Sequence, residues 1–111
     1  MSKSPNDRLQ GTLDLLILTT LARSGPLHGY AIAKQIRERS GETLRIEDGS
    51  LYPAINRMAE AKWVTAEWGL TESKRPARIY KITAVGRKQL QKEEEKWSQL
   101  TAGVGRVLQP I

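Results

Sequence analysis

The chain has no cysteine and no phenylalanine, and one histidine among its 111 residues. The first absence excludes disulfides, thiolate metal sites and thiol nucleophiles, and leaves the chain indifferent to redox compartment. The lone His28 has no second imidazole with which to build a metal site, so no metal and no cofactor is expected. At a helix start it reads as a cap or turn residue. Without phenylalanine, Trp63, Trp68, Trp97 and three tyrosines carry all the aromatic chemistry. Long apolar runs are missing too: the longest, Leu13 to Ala22, is broken by Asp14, Thr19 and Thr20, and the start MSKSPNDRLQ has no apolar segment. Neither a membrane span nor a signal peptide is expected, which leaves a cytoplasmic location. Nor do the residues suggest an enzyme, since there is no glycine-rich phosphate loop and no carboxylate pair on an apolar background. The run Glu93-Glu94-Glu95, offset by Lys92 and Lys96, reads as a solvated helix face.

What is abundant is positive charge. Eighteen Lys and Arg against twelve Asp and Glu give a formal net charge of +6, an attraction for polyanions that does not depend on their sequence. The length fits one domain whose small core favours a helical fold or one completed by a partner chain.

Residues 1 to 9 are polar, carry Pro5 and read as a disordered arm. Leu13, Leu16, Ile17, Thr20 and Leu21 recur with helical spacing and predict a first helix over residues 10 to 23, stopped by SGP at 24 to 26. A second helix is expected from Gly29 to Arg39, with Ile32, Ala33 and Ile36 inward, Lys34 outward, and Gly41 as the residue after its cap. Leu44-Arg45-Ile46 alternates over one minor strand. A third helix, DGSLYPAINRM, follows from Asp48. Residues 63 to 68 and 77 to 82 then read as two strands, rich in β-branched and aromatic residues, joined by the long tip GLTESKRP. Thr83 is the expected N-cap of a last helix running through Leu100 and toward Leu108. Gly103 and Gly105 each cost about 1 kcal/mol inside a helix, which predicts a kink or frayed end beyond Thr101.

Three helices and a hairpin in this order make the fold mainly α with a small β-hairpin, a winged helix-turn-helix over residues 10 to 82 with a C-terminal dimerisation helix over 83 to 111. In the third helix Leu51, Ile55 and Met58 form a buried stripe at i, i+4, i+7, while Tyr52 and Asn56 make a polar second face. Pro53 lacks the N–H that helix interiors need, which places it in the first turn and makes Ser50 the expected N-cap. Asn56 suits paired hydrogen bonds to an adenine edge and Arg57 suits guanine or phosphate. Tyr52 fits either DNA or the core beside Trp63, and Arg57 fits equally a pairing with Glu60 or Glu38. The wing stretch KRPARIYK carries Lys74, Arg75, Arg78 and Lys81 with no acid, which suits phosphates or the minor groove.

Three segments, GTLDLLILTTLARSGPLHGYAIAKQI, DGSLYPAINRMAEAKWV and RPARIYKITAVGRKQL, resemble the successive signatures of the PadR family of bacterial transcriptional regulators. The resemblance covers residues 10 to about 105 and corresponds to the compact branch with a single terminal helix. It implies a repressor that dimerises through that helix and binds a pseudo-palindromic operator. The expected DNA-binding residues are Tyr30, Lys34, Ser50, Tyr52, Pro53, Asn56, Arg57, Lys74, Arg75 and Arg78. Where the family commonly has a second aromatic beside the wing tyrosine, this chain has Ile79. A winged helix that senses a ligand or binds a protein without touching DNA remains the alternative.

Leu90, Trp97 and Val104 lie seven apart, with Leu100 and Val107 filling a heptad-like seam. Nothing else in the chain is expected to cover it, so Leu90, Trp97, Leu100 and Val104 are assigned to a two-fold interface. Two copies of Trp97 meeting there could sandwich a planar effector, as in some members of the resembling family, or could simply pack the dimer.

Overall fold

Helix α1, Pro5–Ser24, runs on the Ile17, Leu18 and Leu21 stripe, all three essentially without solvent exposure. The computed structural model describes the backbone from residue 5 and side chains from residue 11. Of the expected arm, residues 1 to 4 lie outside the described residues. The helix itself begins at Pro5 rather than near residue 10, with a proline at the first helical position, where the missing N–H has no intrahelical partner to lose. Gly25, at φ +79, turns the chain out of α1 into β1, Leu27–His28.

Helix α2, Gly29–Arg39, ends as the sequence predicts. Gly41 sits at φ +64 and donates to the Glu38 carbonyl, while the Glu42 N–H reaches the Arg37 carbonyl at 2.8 Å. This pair of bonds satisfies two of the last helical carbonyls. The expected strand at residues 44 to 46 does not form. No neighbouring strand offers those residues a ladder, and the Leu44 N–H instead donates to the Ser40 hydroxyl at 2.9 Å. The minor strand is β1.

Helix α3, Asp48–Glu60, leads into β2, Val64–Leu70, and β3, Pro76–Ile82. The sheet order is β1-β3-β2, all antiparallel, with Leu27 opposite Tyr80 and a β2–β3 register running from Val64↔Ile82 to Leu70↔Pro76. Directly opposed residues share a face, so Val64, Ala66, Tyr80 and Ile82 form one inward row. Val64, Tyr80 and Ile82 are buried in it with Ile32, Leu51, Ile55 and Met58.

Helix α4, Ala84–Leu108, starts at Thr83, whose Oγ1 accepts from the Gly86 N–H at 2.9 Å and donates to the Lys62 carbonyl at 2.6 Å. Gly86 lies so near β2 that a Cβ there would stand 2.1 Å from the Trp63 carbonyl oxygen. The helix continues without interruption through Gly103 and Gly105, which corrects the expected kink or fray beyond Thr101. At about 1.5 Å per residue it spans roughly 37 Å. Two further expectations change because α1 packs along the first half of α4. Leu90 is only 8% exposed, inside this chain's own core, and is no part of an uncovered seam. Glu93 is likewise buried against α1 rather than solvated, accepting from Gln89 at 2.8 Å, whereas Glu94 and Glu95 are exposed.

Candidate nucleic-acid interface

Helix α3 starts earlier than its proline suggests. Its N-cap is Glu47, which makes no side-chain capping bond, and the N–H groups of Ser50 and Leu51 both donate to the Glu47 carbonyl at 2.9 Å. Ser50 is therefore inside the first turn, which corrects its reading as the cap, and Pro53 lies in the second turn. The carbonyl that the missing Pro53 N–H would have served belongs to Gly49, an exposed residue. Leu51, Ala54, Ile55 and Met58 are buried, and this leaves Gly49, Tyr52, Pro53, Asn56 and Glu60 as one exposed stripe.

Tyr52 both packs and faces outward. Its ring lies over Gly29, the first residue of α2, so that a Cβ at Gly29 would stand 2.7 Å from both Cε1 and the hydroxyl oxygen of Tyr52. The ring nevertheless leaves the residue 38% exposed. Burial pushes its phenol above the usual range, with the charge of Asp48 and the nearby Tyr80 adding to the shift. The segments HGY and LYP thus interlock at a glycine where any side chain would displace the Tyr52 ring.

Arg57, expected to face DNA or to pair with Glu60 or Glu38, has another partner. Its two terminal nitrogens donate to the two carboxylate oxygens of Asp14 in α1, at 2.6 and 3.0 Å. The hydrogen bond to Asp14 is the main reason the guanidinium is held above its ordinary range. Burial pushes the Asp14 carboxyl upward and the Glu93 charge adds to this, while the bond to Arg57 and its charge pull it down. Arg57 fastens α3 to α1, and Asn56 beside it is left pointing outward.

On α2, His28 is the cap that its isolation suggested: its Nδ1 accepts from the Ala31 N–H at 3.3 Å. The imidazole stacks with Tyr30 at 6.4 Å between centroids, and Tyr30 is 67% exposed, with Lys34 exposed one turn on. The wing strands run further than predicted, so the tip is only residues 71 to 75 rather than all of GLTESKRP. Thr71 closes it, its N–H donating to the Arg75 carbonyl at 2.9 Å and its Oγ1 accepting from the Arg75 N–H at 3.1 Å. Lys74 adopts φ +61 at this turn, and both Lys74 and Arg75 are exposed. Arg78 is exposed but not isolated, since its guanidinium carbon lies 5.5 Å from the centroid of the Trp68 ring. Trp68 carried no functional reading in the sequence. Its strand was recognised there, and the cross-strand register that pairs it with Arg78 was not.

The described residues include no cluster of three or more His, Asp or Glu side chains that could hold a metal ion, and no helix long and apolar enough to cross a membrane. Residues 17–92 match the model of the transcriptional regulator PadR-like family. The chain belongs to the PadR family. A solved transcriptional regulator from Clostridium thermocellum superposes with a TM-score of 0.83 at 27% identity, over 93% of this chain and 99% of that one. A PadR family regulator from Eggerthella lenta does so with a TM-score of 0.77 at 31% identity, over 95% and 88% of the two chains. An uncharacterised 37.1 kDa protein in a transposon of Streptomyces fradiae is 39% identical over 90 residues, 81% of this chain but only 24% of that protein's length. PadR membership makes the chain a transcriptional regulator of winged-helix fold and not an enzyme, with DNA as the family's partner. The PadR wing here carries Ile79 against Gly69, whose missing side chain would stand 2.7 Å from Ile79 Cγ1.

Proposed function

We propose that this PadR regulator is a cytoplasmic repressor that binds a pseudo-palindromic operator as a homodimer. The observation that carries the reading is the exposed α3 stripe of Tyr52, Pro53 and Asn56, in a fold that also exposes Tyr30 and Lys34 on α2 and Lys74 and Arg75 at the wing tip. Asn56 reads a base edge, and Ser50, Lys34, Lys74, Arg75 and Arg78 follow phosphates. Arg57 sets the pitch of α3 through Asp14 rather than reading a base. The second copy is supplied through the distal half of α4. There Trp97, Leu100 and Val104 remain 44, 57 and 47% exposed, with Val107 and Leu108 more so. Two recognition helices related by such a two-fold enter successive major grooves about 34 to 36 Å apart.

Selection of bound duplexes from a random pool tests symmetry and half-site spacing together, and a salt series on the selected site tests the roles. Asn56→Ala narrows the gap between operator and scrambled DNA by about 1–3 kcal/mol, whereas Arg75→Ala weakens both alike and flattens the salt dependence. Equal losses on both DNAs for Asn56→Ala remove its assigned role. The exposed Trp97 in the seam also supports a planar effector held between two copies. Absence of tryptophan quenching across a panel of planar aromatic compounds at tens of micromolar removes that part.

A further inference from the structure

Trp68 is 71% exposed and Leu70 66% exposed, on a strand that buries Val64 and half-buries Ala66. The register explains where they point. Trp68 is opposed to Arg78, one row outward from Ala66 and Tyr80, and opposed residues on the same parity share a face. That face is the inward one, the side on which Tyr80 lies near Tyr52 of α3. The row Trp68–Arg78 therefore continues, about 7 Å beyond Tyr80, along the side of the wing that faces the recognition helix. There the core has ended and the face is open.

We propose that Trp68 and Arg78 together form a DNA-contact wedge that lies against the deoxyribose edge of the groove flanking the one entered by α3. The proposal rests on the DNA-binding reading above and adds to it a residue that the cationic wing alone does not require. An indole left largely in water is unfavourable for the free protein and becomes favourable when a sugar surface covers it. Arg78 holds its guanidinium carbon 5.5 Å from the ring centroid, close enough for its donors to reach phosphate oxygens or minor-groove acceptors beside the indole. Apolar wedges accompanied by arginine are a general device of proteins that read groove width and deformability. The surrounding charge, with Lys74 and Arg75 beside Glu72 at the same tip, favours an anionic partner over a neutral or basic one, and the DNA-binding reading makes that partner DNA.

The experiment is a titration of the selected duplex with wild type, Trp68→Ala, Trp68→Phe and Arg78→Ala across a salt series. Acrylamide quenching of the free and bound proteins and melting curves accompany it. Trp68→Ala is expected to bind about tenfold more weakly with the same salt slope, because it removes apolar contact and no phosphate neutralisation. Arg78→Ala lowers the slope. Trp68→Phe recovers part of the affinity. Wild type loses a quenchable tryptophan component on binding that Trp68→Phe never shows. The proposal is overturned if Trp68→Ala binds like wild type, if quenching is unchanged by DNA, or if the variant's loss is matched by a lower sedimentation mass. Wild type that binds no duplex from the pool removes the DNA-binding reading itself. Wild type that binds while Trp68→Ala binds equally removes only the wedge.

Discussion

Replacing Asp14 by alanine isolates the joint between α1 and α3. Asp14 is 4% exposed, and its carboxylate takes both terminal nitrogens of Arg57, whose side chain is 34% exposed. Removing one partner of a fully buried pair costs about 3–5 kcal/mol, because the charge left behind has lost its hydration and its counter-charge. Arg57 retains contact with water and the attraction of Glu93, which reduces the loss. The expectation is thus about 2–3 kcal/mol. For a chain of 111 residues this lowers the melting midpoint by roughly 6–15 °C. The measurement is denaturant and thermal unfolding at one fixed protein concentration, since self-association would make the midpoint concentration-dependent. Asp14→Leu combined with Arg57→Met replaces the pair by apolar side chains and is expected to return to near wild-type stability. A loss below about 0.5 kcal/mol for Asp14→Ala, the size of an ordinary surface substitution, refutes the argument, as does a double variant no more stable than Asp14→Ala.

Three further outcomes follow from the same packing. Asp14→Asn tests the titration. With burial raising the folded-state pKa above its unfolded value, the native state binds the proton more tightly, so wild-type stability falls as pH rises from the ordinary carboxylate range through the raised value, a slope Asp14→Asn lacks. Acid titration followed by calorimetry on both proteins checks this, and a slope of opposite sign is incompatible with it. Gly86→Ala would add helix propensity worth about 1 kcal/mol yet is expected to be destabilising by about 1–3 kcal/mol net, since the new Cβ stands 2.1 Å from a backbone oxygen and 2.8 Å from Ile82 Cγ1. Equilibrium unfolding decides its sign. Leu100→Glu places a charge in the distal seam without touching the core, and sedimentation should show loss of the dimer while the helical circular dichroism of the monomer persists. A dimer of unchanged stability relocates the interface.

Which of these features the sequence discloses depends on how far apart along the chain the interacting residues lie. The capping bonds of Thr83, His28 and Gly41 lie within four residues of their own positions, so spacing and residue type alone identify them as caps, whereas the bond from Thr83 to the Lys62 carbonyl is not legible that way. The buried stripe of α3 is legible for the same reason, since periodicity is a local property. Ser50 failed as a cap because the start of α3 is set by the chain arriving at Glu47, and a proline in the second turn is accommodated where its orphaned carbonyl reaches water. Asp14 and Arg57 are 43 residues apart, and no pattern in the sequence distinguishes that pair from Arg57 with Glu60 or Glu38. The same limitation hid Leu90 and Glu93, which a heptad reading places on one outward seam and on a solvated face until α1 is known to lie along the first half of α4. The consequence is mechanical. The first half of α4 belongs to the DNA-binding core, with Glu93 acting electrostatically on both members of the Asp14–Arg57 pair, and Trp97 is one helical turn further along α4. A partner helix that settles on Trp97, as the proposed dimer requires, would lie on the same helix whose first half packs against α1, the element to which Arg57 ties α3.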